Sequence, residues 1–142
     1  MIKLSSLCRD GFFVAAALAA GLFGGVGDAA AGAKGANNVY VNVTSRLAQG
    51  DLGQARNTTD SVQYIGCYTQ TYRNSSGVFE QVNCQARDAA GASYYCYATD
   101  PELVRAARSI TGDSFLYFVG DTAGKCTTIL VGQSSMYQPK QP

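Results

Sequence analysis

The chain contains no histidine and no tryptophan among its 142 residues. Without His it lacks the side chain that most often serves as a base near neutral pH, and the commonest metal ligand. Without Trp it lacks the largest stacking ring. Lysine is scarce, present only as Lys3, Lys34, Lys125 and Lys140. The formal net charge is +1. Neither sign clusters, so long-range capture of nucleic acid or anionic lipid is not indicated. No G-x-S-x-G turn, phosphate loop, EF-hand loop or dinucleotide fingerprint occurs. A Ser or Cys nucleophile would need a base other than His. No C-x-x-C pair exists, which argues against zinc. These absences point away from catalysis, and no metal or other cofactor is expected.

What is present begins with an export signal. Lys3 and Arg9 give a basic start, weakened by Asp10, and an apolar Ala/Gly-rich run follows from Gly11 to Val26. Ala29-Ala30-Ala31 and Ala31-Gly32-Ala33 both fit an A-x-A cleavage pattern. The run is shorter than the ~20 apolar residues that a membrane span needs. Residues 1–31 therefore read as a removable secretory signal, and no span is expected after its removal. Cys8 would leave with it. Four cysteines remain, Cys67, Cys84, Cys96 and Cys126. An even count in a small exported chain reads as a disulfide framework, placing the protein outside the cell or in a periplasm.

Asn38 to Thr44 alternates Val39, Val41 and Val43 on one parity and predicts a strand with one apolar face. Ser45 to Ser61 reads as a long polar connection, so residues 32–61 are expected to form an N-terminal arm. The disulfide domain proper is expected over 62–142. Strands are predicted over Val62–Arg73, Val78–Arg87 and Ala92–Ala98, with turn residues between them. Asp100 as N-cap and Pro101 at the first helical position then open a helix that ends near Gly112. Leu103, Ala106, Ala107 and Ile110 mark its buried face. Strands over Ser114–Val119 and Lys125–Val131 close the domain. The expected fold class is α+β, a small antiparallel sheet of about five to six strands. One helix packs on one face, and disulfides staple the whole.

The cysteine spacing sets a register. A hairpin centred between Ser75 and Ser76 puts Cys67 directly opposite Cys84, at a separation that a disulfide can bridge. Ile65, Cys67, Thr69, Val82, Cys84 and Ala86 then share a small apolar face. The next turn is less decisive: a three-residue turn centred on Ala90 would put Cys84 opposite Cys96, and a four-residue turn would put Asn83 opposite it instead. Two pairings follow. The favoured one is Cys67–Cys84 with Cys96–Cys126, and the other is Cys84–Cys96 with Cys67–Cys126.

The same register collects Tyr64, Tyr68, Tyr72 and Phe79 on the opposite face, interleaved with Gln81, Asn83 and Gln85. Tyr95 and Tyr97 alternate on the third strand. Aromatic rings with amide side chains suit a sugar or a protein partner, because Tyr supplies large area at small entropic cost. Cross-strand aromatics also stabilise sheets for their own sake. Arg105 and Arg108 read mainly as a solvated helix face. Asp100 and Glu102 are accounted for by helix capping and the dipole.

The segments Asp60-Ser61-Val62-Gln63-Tyr64-Ile65-Gly66-Cys67, Gly112-Asp113-Ser114 and Gly124-Lys125-Cys126-Thr127 resemble a group of short exported bacterial proteins of unassigned function. That resemblance covers Val62 to Lys140. It implies export and similar bridges, and no activity. The expected function is non-catalytic binding of an extracellular or periplasmic partner or ligand through the tyrosine face. The alternative is a structural subunit that assembles when the Val39-Val41-Val43 strand completes a neighbour's sheet. A His-independent hydrolase is third.

Overall fold

A computed structural model describes residues 35–139. The expected signal over 1–31, together with Lys34 and Lys140, lies outside the described residues. The chain first forms a hairpin, β1 (Tyr40–Asn42) and β2 (Leu47–Asp51), then a short helix α1 (Leu52–Asn57). A three-stranded meander follows, β3 (Tyr64–Asn74), β4 (Gly77–Arg87) and β5 (Ser93–Ala98). Helix α2 (Pro101–Arg108) leads back to a final hairpin, β6 (Phe115–Gly120) and β7 (Cys126–Gly132).

The strands make two sheets, not one. One has the order β1-β2-β6-β7 and the other β3-β4-β5, and all strand pairs are antiparallel. The expected single sheet of five to six strands is thus corrected to seven strands in two sheets, with two helices rather than one. The reason lies in residues 45–61, expected as a polar connection. They contain β2 and α1. β2 is an interior strand that pairs with β1 on one side and β6 on the other, with Ala48 opposite both Val41 and Phe118. Its sequence, Leu-Ala-Gln-Gly-Asp, has no β-branched residue, so local preference does not announce it. Small side chains serve the packing instead. Ala48 is fully buried. A Cβ on Gly50 would come within 3.0 Å of the Val39 Cα.

One core joins the two sheets and α2. Val39, Val41, Val82, Cys84, Val104, Leu116, Phe118 and Ile129 all belong to it. The N-terminal valines divide: Val39 and Val41 are buried, whereas Val43 is exposed in the turn after β1. The start of β3 is tied to β1 where Gln63 Oε1 accepts from the Val39 N–H at 3.0 Å. In α2, Asp100 Oδ1 accepts from the N–H groups of Glu102 and Leu103, and Pro101 is the first helical residue, as expected. Its most buried residues are Val104 and Ala107, so the buried stripe is centred slightly away from the expected Leu103–Ile110 line.

The predicted pairings of the meander hold residue for residue. Cys67 lies opposite Cys84, and Cys84 lies opposite Cys96. Of the two registers open at the second turn, the one centred on Ala90 is observed. The disulfides are those of the favoured pairing: Cys67–Cys84, with Cα atoms 4.0 Å apart, and Cys96–Cys126, 5.1 Å apart. The first bridge stays within one sheet. The second ties the two sheets together beside a parallel bridge between Tyr97 and Lys125. Among the described residues no helix is long and apolar enough to cross a membrane.

Candidate functional site

Side chains alternate between the two faces of a strand. In the three-stranded sheet Ile65, Val82, Cys84, Ala86 and Cys96 point into the core. Their neighbours must point outward. The outer face runs in cross-strand rows: Tyr64 beside Arg87, Gly66 beside Gln85 and Tyr95, Tyr68 beside Asn83 and Tyr97, Gln70 beside Gln81, and Tyr72 beside Phe79. All six aromatic residues expected on one face are therefore on it. Tyr64, Tyr68, Tyr72, Phe79 and Tyr95 are exposed, and Tyr97 is half-buried.

They do not form one cluster. Four residues of strand span about 13 Å, so Tyr64, Tyr68 and Tyr72 are strung over about 26 Å of β3. At the far end the Tyr72 and Phe79 rings stack, with centroids 5.7 Å apart. This pair sits on a projecting ribbon, because β5 ends opposite Val82 and leaves the tip of the β3–β4 hairpin two-stranded. At the middle, Tyr68, Tyr95 and Tyr97 gather around Asn83. The Tyr95 hydroxyl donates to Asn83 Oδ1 at 2.7 Å, and Gln81 Nε2 donates to the same oxygen at 2.7 Å.

Asn83 is the member that sequence reasoning placed on the face without recognising as its hub. It is only 2% exposed although its side chain points away from the core. Its Nδ2 group is buried and has no hydrogen-bond partner. A buried amide donor left unpaired is costly, and a hydroxyl or carbonyl offered to it gains accordingly. Strand parity revealed the direction of Asn83; its burial depends on three rings from two other strands. Burial raises the Tyr95 phenol above its ordinary pKa, and the nearby Tyr68 and Tyr97 add to the effect, so Tyr95 keeps its proton and remains a donor.

Gly66 is the second feature missed. Its backbone is ordinary strand, and a Cβ built there would meet nothing within 4 Å. It leaves an open notch between Tyr64 and Tyr68, in the row of Gln85 and Tyr95.

The charged candidates are engaged elsewhere. Arg105 pairs with Glu102, and Arg108 pairs with Glu80. Glu80 also accepts from the Thr71 hydroxyl at 3.4 Å. A groove of about 480 Å³ lies beside α2, lined by Val78, Phe79, Glu80, Thr99, Pro101 and Val104. Glu80 is its single ionisable residue. Among the described residues no three His, Cys, Asp or Glu side chains gather as metal ligands would. No protein family, no curated protein and no solved structure matches the chain.

Proposed function

We propose that this chain is an exported, non-catalytic domain that binds an extracellular or periplasmic ligand or partner through the outer face of the three-stranded sheet. The observation that carries the reading is the cluster of Tyr68, Tyr95 and Tyr97 around Asn83. It is a polar hub buried on the solvent side of a sheet, with one donor unused. Rings of this kind supply contact area without freezing many torsions, so binding loses little entropy. The two disulfides support the location.

The test compares wild-type protein with a Tyr64/Tyr68/Tyr72→Ser variant, each immobilised and exposed to envelope and medium components of the exporting cell. The variant is expected to lose what the wild type retains while keeping its near-ultraviolet circular dichroism from the remaining core rings. Equal retention by both proteins would sink the reading.

Assembly by strand donation through Val39, Val41 and Val43 is the second reading. No observation favours it: Val39 and Val41 are buried within their own chain, and β1 is paired to β2. For a hydrolase, three carboxylates have structural partners: Asp100 caps α2, and Glu80 and Glu102 face arginines.

A further inference from the structure

We infer that the tyrosine face takes a linear, uncharged polysaccharide laid along β3, with one sugar unit seated over the Gly66 notch. This rests on the binding reading above and names the ligand class for the same site. Four properties of the face select it.

First, the face is neutral. Of its fifteen outward positions (six on β3, six on β4, three on β5) only Arg87, at one end, is charged. An anionic polymer would find no row of cations to meet it. Second, the face is long, with Tyr64 to Tyr72 spanning about 26 Å of β3. Small ligands are normally held in concavities that enclose most of their surface. Here rings and amides are spread in rows along the strands, so an extended chain meets more of them than a compact ligand does. Third, the chemistry alternates between rings and amides: Gln85 beside Tyr95, Asn83 between Tyr68 and Tyr97, Gln81 before Tyr72–Phe79. The C–H faces of a sugar ring suit the negative face of a phenol ring, while its hydroxyls, each donor and acceptor, suit amides. The middle rows, Gly66–Gln85–Tyr95 and Tyr68–Asn83–Tyr97, set amides directly beside rings. Fourth, Asn83 Nδ2 is a buried donor with no partner. A sugar hydroxyl that displaces the covering ring of Tyr68 or Tyr97 meets a donor that no side chain of the face uses.

Gly66 makes the inference testable without damage to the fold. Gly66→Leu fills the notch from a position where added carbon meets nothing. The oxidised protein is run in native gels containing hydroxyethylcellulose, xyloglucan or galactomannan, with alginate and polygalacturonate as anionic controls. At least one neutral polymer is expected to retard the wild type, and the anionic ones not. Gly66→Leu and Tyr68→Ala should each weaken retardation about tenfold or more, with unchanged thermal midpoints. Absence of retardation in every neutral gel, equal retardation by the anionic polymers, or wild-type behaviour of Gly66→Leu overturns the inference. If the Tyr64/Tyr68/Tyr72→Ser variant loses a cross-linkable protein partner while neutral polymers are ignored, the polysaccharide is wrong and the binding face survives. If that variant loses nothing, both fall.

Discussion

Asp51 is fully buried at the junction of β2 and α1. Its Oδ2 accepts from the backbone and side-chain nitrogens of Asn37, at 3.3 and 2.9 Å, while Oδ1 is buried without a partner. Burial outweighs those two bonds and raises its pKa above the ordinary 3.8. A raised carboxyl binds its proton more tightly folded than unfolded. Folding stability from this group is therefore largest when it is protonated and falls as pH rises from 3.8 through the folded value. Comparing denaturant midpoints of wild type and Asp51→Asn from pH 4 to 7 should show the wild type losing ground as pH rises, then a constant gap. A gap that is flat throughout would show that Asp51 is not the titrating group. Asp60 has the opposite sign. It is exposed, and the Thr58 hydroxyl and the Gln63 side chain, joined by the N–H groups of Gln63 and Val62, hold its carboxyl well below the usual range. What it contributes is lost only as pH falls below about 4, toward its own low pKa.

Among the elements, the two disulfides have different tasks. Cys67–Cys84 closes a separation of 17 residues and Cys96–Cys126 one of 30, for which restriction of the unfolded chain predicts about 3 and about 3.6 kcal/mol. Cys67 is half-buried, whereas Cys84, Cys96 and Cys126 are buried. Reduction needs access of a thiolate to sulfur. Limited reduction under native conditions, followed by alkylation and peptide mapping, should label Cys67 and Cys84 before Cys96 and Cys126; simultaneous labelling would mean that opening is global. The meander elements were legible because each turn carries its own chemistry and the cysteines count across it. Asn74 Oδ1 accepts from Ser76 N–H, and Asp88 Oδ1 from Ala92 N–H. β2 was illegible for a physical reason. Leu47 to Asp51 pair locally only with the three residues of β1, and all five pair with β6, more than sixty residues away, with Asp51 opposite Phe115. Nothing local encodes that contact.

At the level of the molecule, the sheets differ in how firmly they are held. The four-stranded sheet is completed only when β6 returns to β2, and it shares the core with the inner half of the meander. The tip of the β3–β4 hairpin, from Gln70 to Gln81, has no third strand, and its residues from Gln70 to Phe79 are exposed on both faces. Stability is therefore uneven, lowest where contacts are fewest. Amides of residues 70–73 and 78–81 should exchange with solvent well before those of 82–87, which β5 covers on one side. Uniform protection along β4 would contradict this. Replacing Tyr72 and Phe79 together by Ser should remove a stacking contribution of about 0.5–1.5 kcal/mol from the tip while leaving the core cooperative. The candidate site shows the same divide between legible and hidden. Strand parity put six rings on one face, but the burial of Asn83 and the vacancy at Gly66 arise only when three strands are assembled.

Cys67, Cys84 and Cys96 stand side by side in one row across β3, β4 and β5. A cell making this protein faces a choice that the finished fold conceals. The meander leaves the ribosome before Cys126 does, and Cys84 then has a thiol opposite it on each neighbouring strand. Its loop to Cys96 is the shorter, 96 − 84 = 12 residues against 17, so chain entropy favours the wrong bond slightly. That bond joins residues that the native register already sets opposite each other. It lies, however, on the hydrogen-bonded side of Cys84, where the pair is wider than Cys67–Cys84 and the bond is the more strained and reversible. Oxidative refolding, quenched by alkylation, should accumulate a Cys84–Cys96 species that converts slowly to the native pair and faster with a disulfide isomerase. The rate at which this protein matures would then be limited by the host's capacity to rearrange disulfides, not by formation of its sheets.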